Sequence, residues 1–372
     1  MIKKVLKGFP PHIKEQIKDN SPTFLGIHLK PVCNFRCQKC FIGEQKKLKN
    51  LEPTLSLTEI FKIMIKAKKS GIKVFGLTGA GEPLLDNRAK KIIKKANTLG
   101  FITHMPTNTS ILNKKTIEFL KENNVTLVLS LDAVDKKLFI DLTQTNPKIH
   151  ERVMENIKLA QEIYTGTKTK KAEKEIYRIA IHMTVHDKNI NQIEKIKRIV
   201  LPDTLFSLSP MAYAGFATCN FNTKNVKKLR DLQEGNLNEK HIVITKDKLL
   251  KKDVCGFFKF GVDINFDGQL LLDAHAIETR KVLKNIRSFD LNPKEAFDYL
   301  SIIKNDFIKE NYMSGFCPVR SPRLVSWIKK KTRNVNIRKT IQKTDNQRHK
   351  TEKFIIEIRL CWEWCYSFLT GS

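Results

Sequence analysis

Apolar positions recur along this chain with two alternating periods. Residues 23–29 (Thr-Phe-Leu-Gly-Ile-His-Leu) form a short apolar run that predicts a strand. In 57–69 the apolar positions Leu57, Ile60, Phe61, Ile63, Met64, Ile65 and Ala67 follow a helical period, and Gly71 stops that helix. A strand at 73–77 runs into a turn of small residues, Thr78-Gly79-Ala80-Gly81-Glu82-Pro83, and a Lys-rich helix continues to about Gly100. The alternation then repeats, with strands at 101–106, 125–131, 176–186 and 204–209 and helices at 113–123, 149–163 and 190–200. Six strand–helix alternations imply a parallel sheet with helical crossovers. The expected fold class is α/β, a partial (β/α)6 TIM-like barrel. Barrels of that kind carry their chemistry at the C-terminal ends of the strands. The segments 33–40, 78–83 and 130–132 all fall at such ends.

A second region begins near residue 212 and contains an expected hairpin, Gly261 to Leu272, with Asp267-Gly268 as its turn signal. From about Ser326 the chain becomes basic (Lys329-Lys330-Lys331 onward) and closes on an apolar stretch with Cys361-Trp362-Glu363-Trp364-Cys365. The expected organisation is therefore a lead-in over 1–22, a core barrel over 23–211, a small α+β extension over 212–325 and a basic tail over 326–372. The chain shows no internal repeat.

Composition sharpens the picture. Hydrophobic residues make up 41% of the 372, enough for a sizeable core, and 28% are charged, which fits a globular chain and not a disordered one. There is no apolar run of about 18 residues, so no membrane-spanning helix is expected. Met1 to Gly8 has lysines but no apolar segment behind them, so no secretory signal is read. The net charge of +30 would by itself suggest RNA or another polyanion as partner. Lysine, however, supplies 54 of the 68 basic residues and is spread through every segment among Ile and Asn, as a compositional bias would produce. The charge leaves an RNA contact as a candidate and does not establish one.

The eight cysteines are Cys33, Cys37, Cys40, Cys219, Cys255, Cys317, Cys361 and Cys365. A disulfide framework belongs to short secreted chains. Three cysteines within eight residues point instead to metal ligation in a reducing cytoplasm. Cys33-Asn34-Phe35-Arg36-Cys37-Gln38-Lys39-Cys40 has the spacing C-x3-C-x2-C, and a short irregular loop lets three thiolates face one iron–sulfur cube. A four-iron cluster normally takes four cysteines, so supplying three leaves one iron open, as catalytic metal sites do. The spacing alone also admits a three-cysteine zinc site with a distant fourth ligand.

These residues together resemble the radical S-adenosylmethionine (SAM) superfamily. Its cysteine loop follows the first barrel strand, and its Gly-Gly-Glu-Pro signature follows the second. Here Gly79-Ala80-Gly81-Glu82-Pro83 stands in that place, with Ala80 for the first glycine of the signature. The resemblance implies a 4Fe-4S cluster on Cys33, Cys37 and Cys40. It also implies a SAM site at Gly79, Gly81, Glu82 and Pro83, where small residues let backbone carbonyls approach an ammonium and the carboxylate offers an ionic acceptor. Thr107-Asn108-Thr109 and Ser130-Leu131-Asp132 match weaker family patterns after the third and fourth strands. In the family such side chains lie near the SAM ribose, although Ser and Asp at a strand end are also ordinary capping residues. One departure is Lys39, where the family places an aromatic residue beside the adenine; Phe41 or Phe35 could take that part.

The implied chemistry is reductive cleavage of SAM to a 5′-deoxyadenosyl radical that abstracts a hydrogen atom from a substrate, with the electron supplied by a ferredoxin- or flavodoxin-like reductant. Residues 255–320 resemble, more faintly, the SPASM extension of radical SAM enzymes that modify peptides. The likeness rests on Cys255, Asp267-Gly268, Lys284-Asn285-Ile286 and Cys317. Asp273 and Arg320 stand where that extension has further cysteines. Two auxiliary clusters are therefore not expected. One on Cys255 and Cys317 with Cys219 or Asp273 is the alternative to plain burial of these small side chains. Cys361 and Cys365, beside Trp362, Trp364 and Phe368, read as part of a packed segment.

Three functions follow as expectations. The first is a radical SAM enzyme acting on a peptide or protein. The second is a radical SAM enzyme acting on RNA, a nucleotide or a cofactor precursor. The third is a non-enzymatic metal-binding, RNA-contacting module, against which the Gly-Glu-Pro turn argues. No residue is identified as the one that directs the substrate radical.

Overall fold

The computed structural model describes residues 3–9, 21–43, 54–211, 215–217, 242–244, 256–281 and 283–310. The chain divides into 1–325 and 326–372, and the second part lies outside the described residues. The strands are β1 (Lys3–Leu6), β2 (Phe24–Ile27), β3 (Val74–Gly76), β4 (Ile102–Thr107), β5 (Val125–Ser130), β6 (Thr169–Lys171), β7 (Lys174–Tyr177), β8 (Ile179–Val185), β9 (Leu205–Pro210), β10 (Ile242–Ile244), β11 (Gly261–Ile264) and β12 (Leu270–Leu271). Nine of them form one sheet in the order β10-β9-β8-β5-β4-β3-β2-β11-β12. Every neighbouring pair in it is parallel except β11 with β12. The six expected barrel strands are its centre, joined by the helices Leu57–Lys69, Ala89–Thr98, Lys114–Glu122, Pro147–Tyr164 and Ile193–Lys197. The hairpin adds β11 alongside β2.

The first crossover shows how sequence sets the elements. Ser56 caps the helix Leu57–Lys69: its Oγ accepts from the Glu59 amide while the Glu59 carboxylate accepts from the Ser56 amide, a reciprocal closure of two orphan donors. Ile60, Ile63, Met64 and Ala67, spaced for one helical face, are buried. Each of the larger three is stabilised by about 1.5–3 kcal/mol relative to exposure. Gly71 at φ +84° ends the segment in a conformation that an L side chain rarely adopts.

Strand register fixes what faces the barrel lumen, because side chains on one face recur every second residue. Phe24, Val74 and Ile102 are in register and pack together. Val128, Ala180 and Leu205 are likewise in register and pack with Leu6, Tyr177 and Phe9. These groups make an apolar floor. Two residues further along, the same face carries Gly26, Gly76 and His104, and beyond Val128, Ala180 and Leu205 it carries Ser130, His182 and Ser207. The lumen therefore turns polar toward the C-terminal strand ends. Gly26 is required here, since a Cβ would overlap the Asp263 carboxylate lying across β2.

The N-terminal residues depart from the expected lead-in: β1 pairs with β7, and β6 completes a separate three-stranded sheet. The expected strand 176–186 is two elements meeting at Arg178, one in each sheet. Helices at Lys136–Thr143 and Pro293–Glu310 were not anticipated. Among the described residues no helix is long and apolar enough to cross a membrane.

Candidate active site

The cysteine loop leaves β2 and crosses the mouth of the barrel, touching the strand ends in turn. The Glu82 amide donates to the Val32 carbonyl at 2.9 Å. Asn108 Nδ2 donates to Asn34 Oδ1 at 2.8 Å, and Asn34 Nδ2 donates to Ser110 Oγ at 2.7 Å. The Arg36 and Gln38 amides donate to the carbonyls of Thr143 and Leu142 at the end of helix Lys136–Thr143. Lys39 reaches Asp132, after β5. The Phe216 amide, beyond β9, donates to the Cys40 carbonyl at 2.9 Å. Finally Cys40 and Phe41 pack on Ile42, Ala80, Phe266, Leu271 and Ile277, and the Phe41 ring lies 4.5 Å from that of His275. A loop without regular structure is thus fixed by contacts from segments after β3, β4, β5 and β9 and from the hairpin region.

Cys33, Cys37 and Cys40 are all half-buried. The Phe35 amide lies 3.4 Å from Cys33 Sγ and Asn108 Nδ2 lies 3.7 Å from it. N–H donors aimed at sulfur suit a thiolate, the form in which cysteine binds metal. Among the described residues no three His, Cys, Asp or Glu side chains converge on a point for a single ion. An iron–sulfur cube makes no such demand, because each thiolate binds a different corner. The donor set therefore fits a cluster held by three thiolates.

The 79–83 turn sits directly against this loop. Gly79 has φ +39°, and a Cβ on Gly81 would overlap the Val32 carbonyl oxygen, so close backbone approach requires glycine there. Pro83 opens a 3-10 turn, Pro83–Leu85, in which the Leu84 amide donates to Glu82 Oε1 at 3.4 Å. That carboxylate is buried and hydrogen-bonded within the protein. Oε1 accepts from Thr107 Oγ1 at 2.9 Å, Oε2 accepts from the Asn108 amide at 2.7 Å, and the residue is 3% exposed. Burial is the dominant effect and pushes its carboxyl up to about 7, against the pull of the donors at Asn108, Thr107 and Leu84. Glu82 thus ties the turn after β3 to the turn after β4.

Asn108 belongs to this site on both sides: its amide reaches Glu82 and its side chain reaches Cys33 and Asn34. Ser130 ends β5 half-buried on the lumen face, in register with His182. His182 was not singled out from sequence; its ring lies between Ser207 Oγ at 3.1 Å and Ser209 Oγ at 2.9 Å, and only the strand register could have found it. Asp132 is engaged by Lys39 Nζ and by the Thr184 amide. Lys39, at the position of the expected aromatic contact, therefore forms an ion pair instead, and Phe35 is buried against Phe139.

In the hairpin, Asp273 is buried and its Oδ1 accepts from the His275 amide at 2.9 Å and pairs with His275 Nδ1 at 3.0 Å. Burial opposes its charge, but the His275 contacts prevail and hold the carboxyl below the usual range. Burial, with the Asp273 charge next to it, moves Asp263 the other way. Asp273 is thus committed to a protein partner. Cys219, Cys255, Cys317, Cys361, Cys365 and Arg320 lie outside the described residues.

Comparison with known proteins agrees with this geometry. Residues 27–199 match the profile described as the radical SAM superfamily. The chain is 30% identical over 174 residues to an S-adenosylmethionine-dependent nucleotide dehydratase of Flammeovirga pacifica, a match covering 45% of this chain and 55% of that protein. It is 31% identical over 170 residues to the mitochondrial GTP 3′,8-cyclase of Arabidopsis thaliana, covering 42% of this chain and 43% of that one. The chain thus spans about half the length of these relatives. Among solved structures, Streptococcus suis SuiB bound to its precursor peptide SuiA has a TM-score of 0.57 at 18% identity, covering 78% of this chain and 68% of that chain. At that identity the likeness is one of fold. The matched segment 27–199, which carries the barrel strands and the cysteine loop, is thus a radical SAM domain.

Proposed function

We propose that this protein is a radical SAM enzyme whose cluster is held by Cys33, Cys37 and Cys40 and whose SAM lies between that loop and residues 79–83. The observation that carries the reading is the direct backbone joint between the two motifs: the Glu82 amide on the Val32 carbonyl, with Asn108 spanning from Glu82 to Cys33. When bound, the cluster would supply the electron that breaks a sulfur–carbon bond of SAM and yields the 5′-deoxyadenosyl radical. The chain's own residues hold the parts. Glycines 79 and 81 let backbone carbonyls approach the amino group, Glu82 braces that turn, and Ser130 offers a hydroxyl toward the ribose. The apolar floor of Val128, Ala180 and Leu205 closes the lumen beneath and keeps water from below.

For the substrate, the first reading is a peptide or protein, supported by the hairpin beside β2 and by the fold shared with SuiB, whose structure holds a precursor peptide. The second reading is a nucleotide, supported by the printed activities of the two sequence relatives. A one-electron donor of the ferredoxin or flavodoxin kind and a reducing cytoplasm accompany either reading.

The test is anaerobic reconstitution followed by iron and sulfide quantification and by chromatography for 5′-deoxyadenosine. The reading expects about four irons per chain and reductant-dependent 5′-deoxyadenosine. Bound zinc with no 5′-deoxyadenosine would overturn it.

A further inference from the structure

Lys39 lies between Cys37 and Cys40, yet its side chain is only 18% exposed. Its Nζ sits 2.6 Å from Asp132 Oδ2 and 2.7 Å from Oδ1. Asp132 is itself fixed, because its Oδ1 also accepts from the Thr184 amide at 3.0 Å. One ammonium thereby joins the loop to the end of β5 and to β8, on the side of the barrel away from β2 where the loop begins. The neighbouring backbone contacts at Val32, Arg36, Gln38 and Cys40 and the side-chain contact at Asn34 are hydrogen bonds between neutral groups, while the Gln38 side chain, itself neutral, also meets Asp141 and Lys188.

A formal charge beside a cluster matters in a way those bonds do not. Reduction adds an electron, so a nearby cation favours the reduced state and a nearby anion disfavours it, with little screening where water is excluded. In the pair the two signs offset each other.

We propose that Lys39 is a positioning residue: through Asp132 it holds the third-cysteine side of the loop across the barrel mouth, and the pair presents no net charge to the cluster. The proposal rests on the reading that the three cysteines hold an iron–sulfur cluster. It also gives Asp132 to the loop and not to a ribose.

The test uses the full chain with Lys39→Met, Asp132→Asn, the double variant and Lys39→Arg. The midpoint potential of the reconstituted cluster is read by electron paramagnetic resonance during a redox titration, and the melting temperature is read on the chain as purified. Asp132→Asn, which leaves a lone cation, is expected to raise the potential, and Lys39→Met, which leaves a lone anion, to lower it. The double variant should return toward wild type, and Lys39→Arg should stay near it. A role in packing alone would move both single variants in one direction. In melting, the double variant should lose less than the sum of the two singles. Potentials that shift together or not at all, or melting losses that simply add, overturn the proposal. If wild type takes up no cluster, the parent reading fails, and the melting cycle still decides whether the latch exists.

Discussion

The amide of Glu82 donates to the carbonyl of Val32 at 2.9 Å, a direct backbone bond between the small-residue turn and the cysteine loop. Gly81 makes it possible, because any Cβ there would overlap the same carbonyl oxygen. The partner atom is backbone and cannot swing aside. Gly81→Ala is therefore expected to push the turn away, with a loss of about 1–3 kcal/mol in stability and reduced iron retention after reconstitution. Thermal melting and iron analysis check this; wild-type values in both would mean that the two segments are not in close contact.

Glu82 gives a pH dependence whose sign is fixed by burial. Its carboxyl is pushed up to about 7 from an ordinary 4.5. The fold thus favours the protonated form, and the associated stability is full below about pH 4.5 and lost as pH rises through about 7. Glu82→Gln keeps an acceptor for Thr107 but turns an amide donor toward the Asn108 N–H, which should cost about 1–3 kcal/mol. The stability gap between wild type and Glu82→Gln should narrow as pH rises across that window. Denaturant titrations at several pH values measure it, and a gap independent of pH would show that the carboxylate is solvated or paired with a cation.

His104 has the opposite sign. Its ring is buried on the lumen face, stands edge-on to Phe9 at 4.5 Å, and has no hydrogen-bond partner at either nitrogen among the described residues. Burial lowers its pKa to about 3 from 6.5, so stability is full above about pH 6.5 and falls as pH drops toward 3. His104→Leu removes two unsatisfied polar atoms and is expected to stabilise the chain by about 1–3 kcal/mol at neutral pH. It should also soften the loss on acidification. A destabilised variant with unchanged acid sensitivity would mean that the imidazole has a partner.

Much of the barrel was legible because its rules are local. Leu57 to Ala67 announce a helix by spacing, and Gly71 marks its end. The three cysteines and the 79–83 turn were recognisable because each sits directly after a strand. The N-terminal strand Lys3–Leu6 was not legible: four residues carry no period, and their partner Lys174–Tyr177 is far away in sequence. The split at Arg178 was hidden for a related reason, since an apolar run does not show where the chain changes sheets. The partners of the Glu82 carboxylate, Thr107 and the Asn108 amide, were not legible either, because which atoms meet a carboxylate depends on the third dimension. Lys39 and Asp132 are 93 residues apart, and only the fold reveals their pairing.

The joint between the two motifs is tested most directly by the electron paramagnetic resonance spectrum of the reduced, reconstituted wild-type protein before and after SAM is added. If SAM binds across the three-thiolate cluster and the 79–83 backbone, the signal must change in shape and position on addition, and Gly81→Ala must weaken that change. A spectrum that SAM leaves unaltered, in protein shown to hold four irons, would contradict the account.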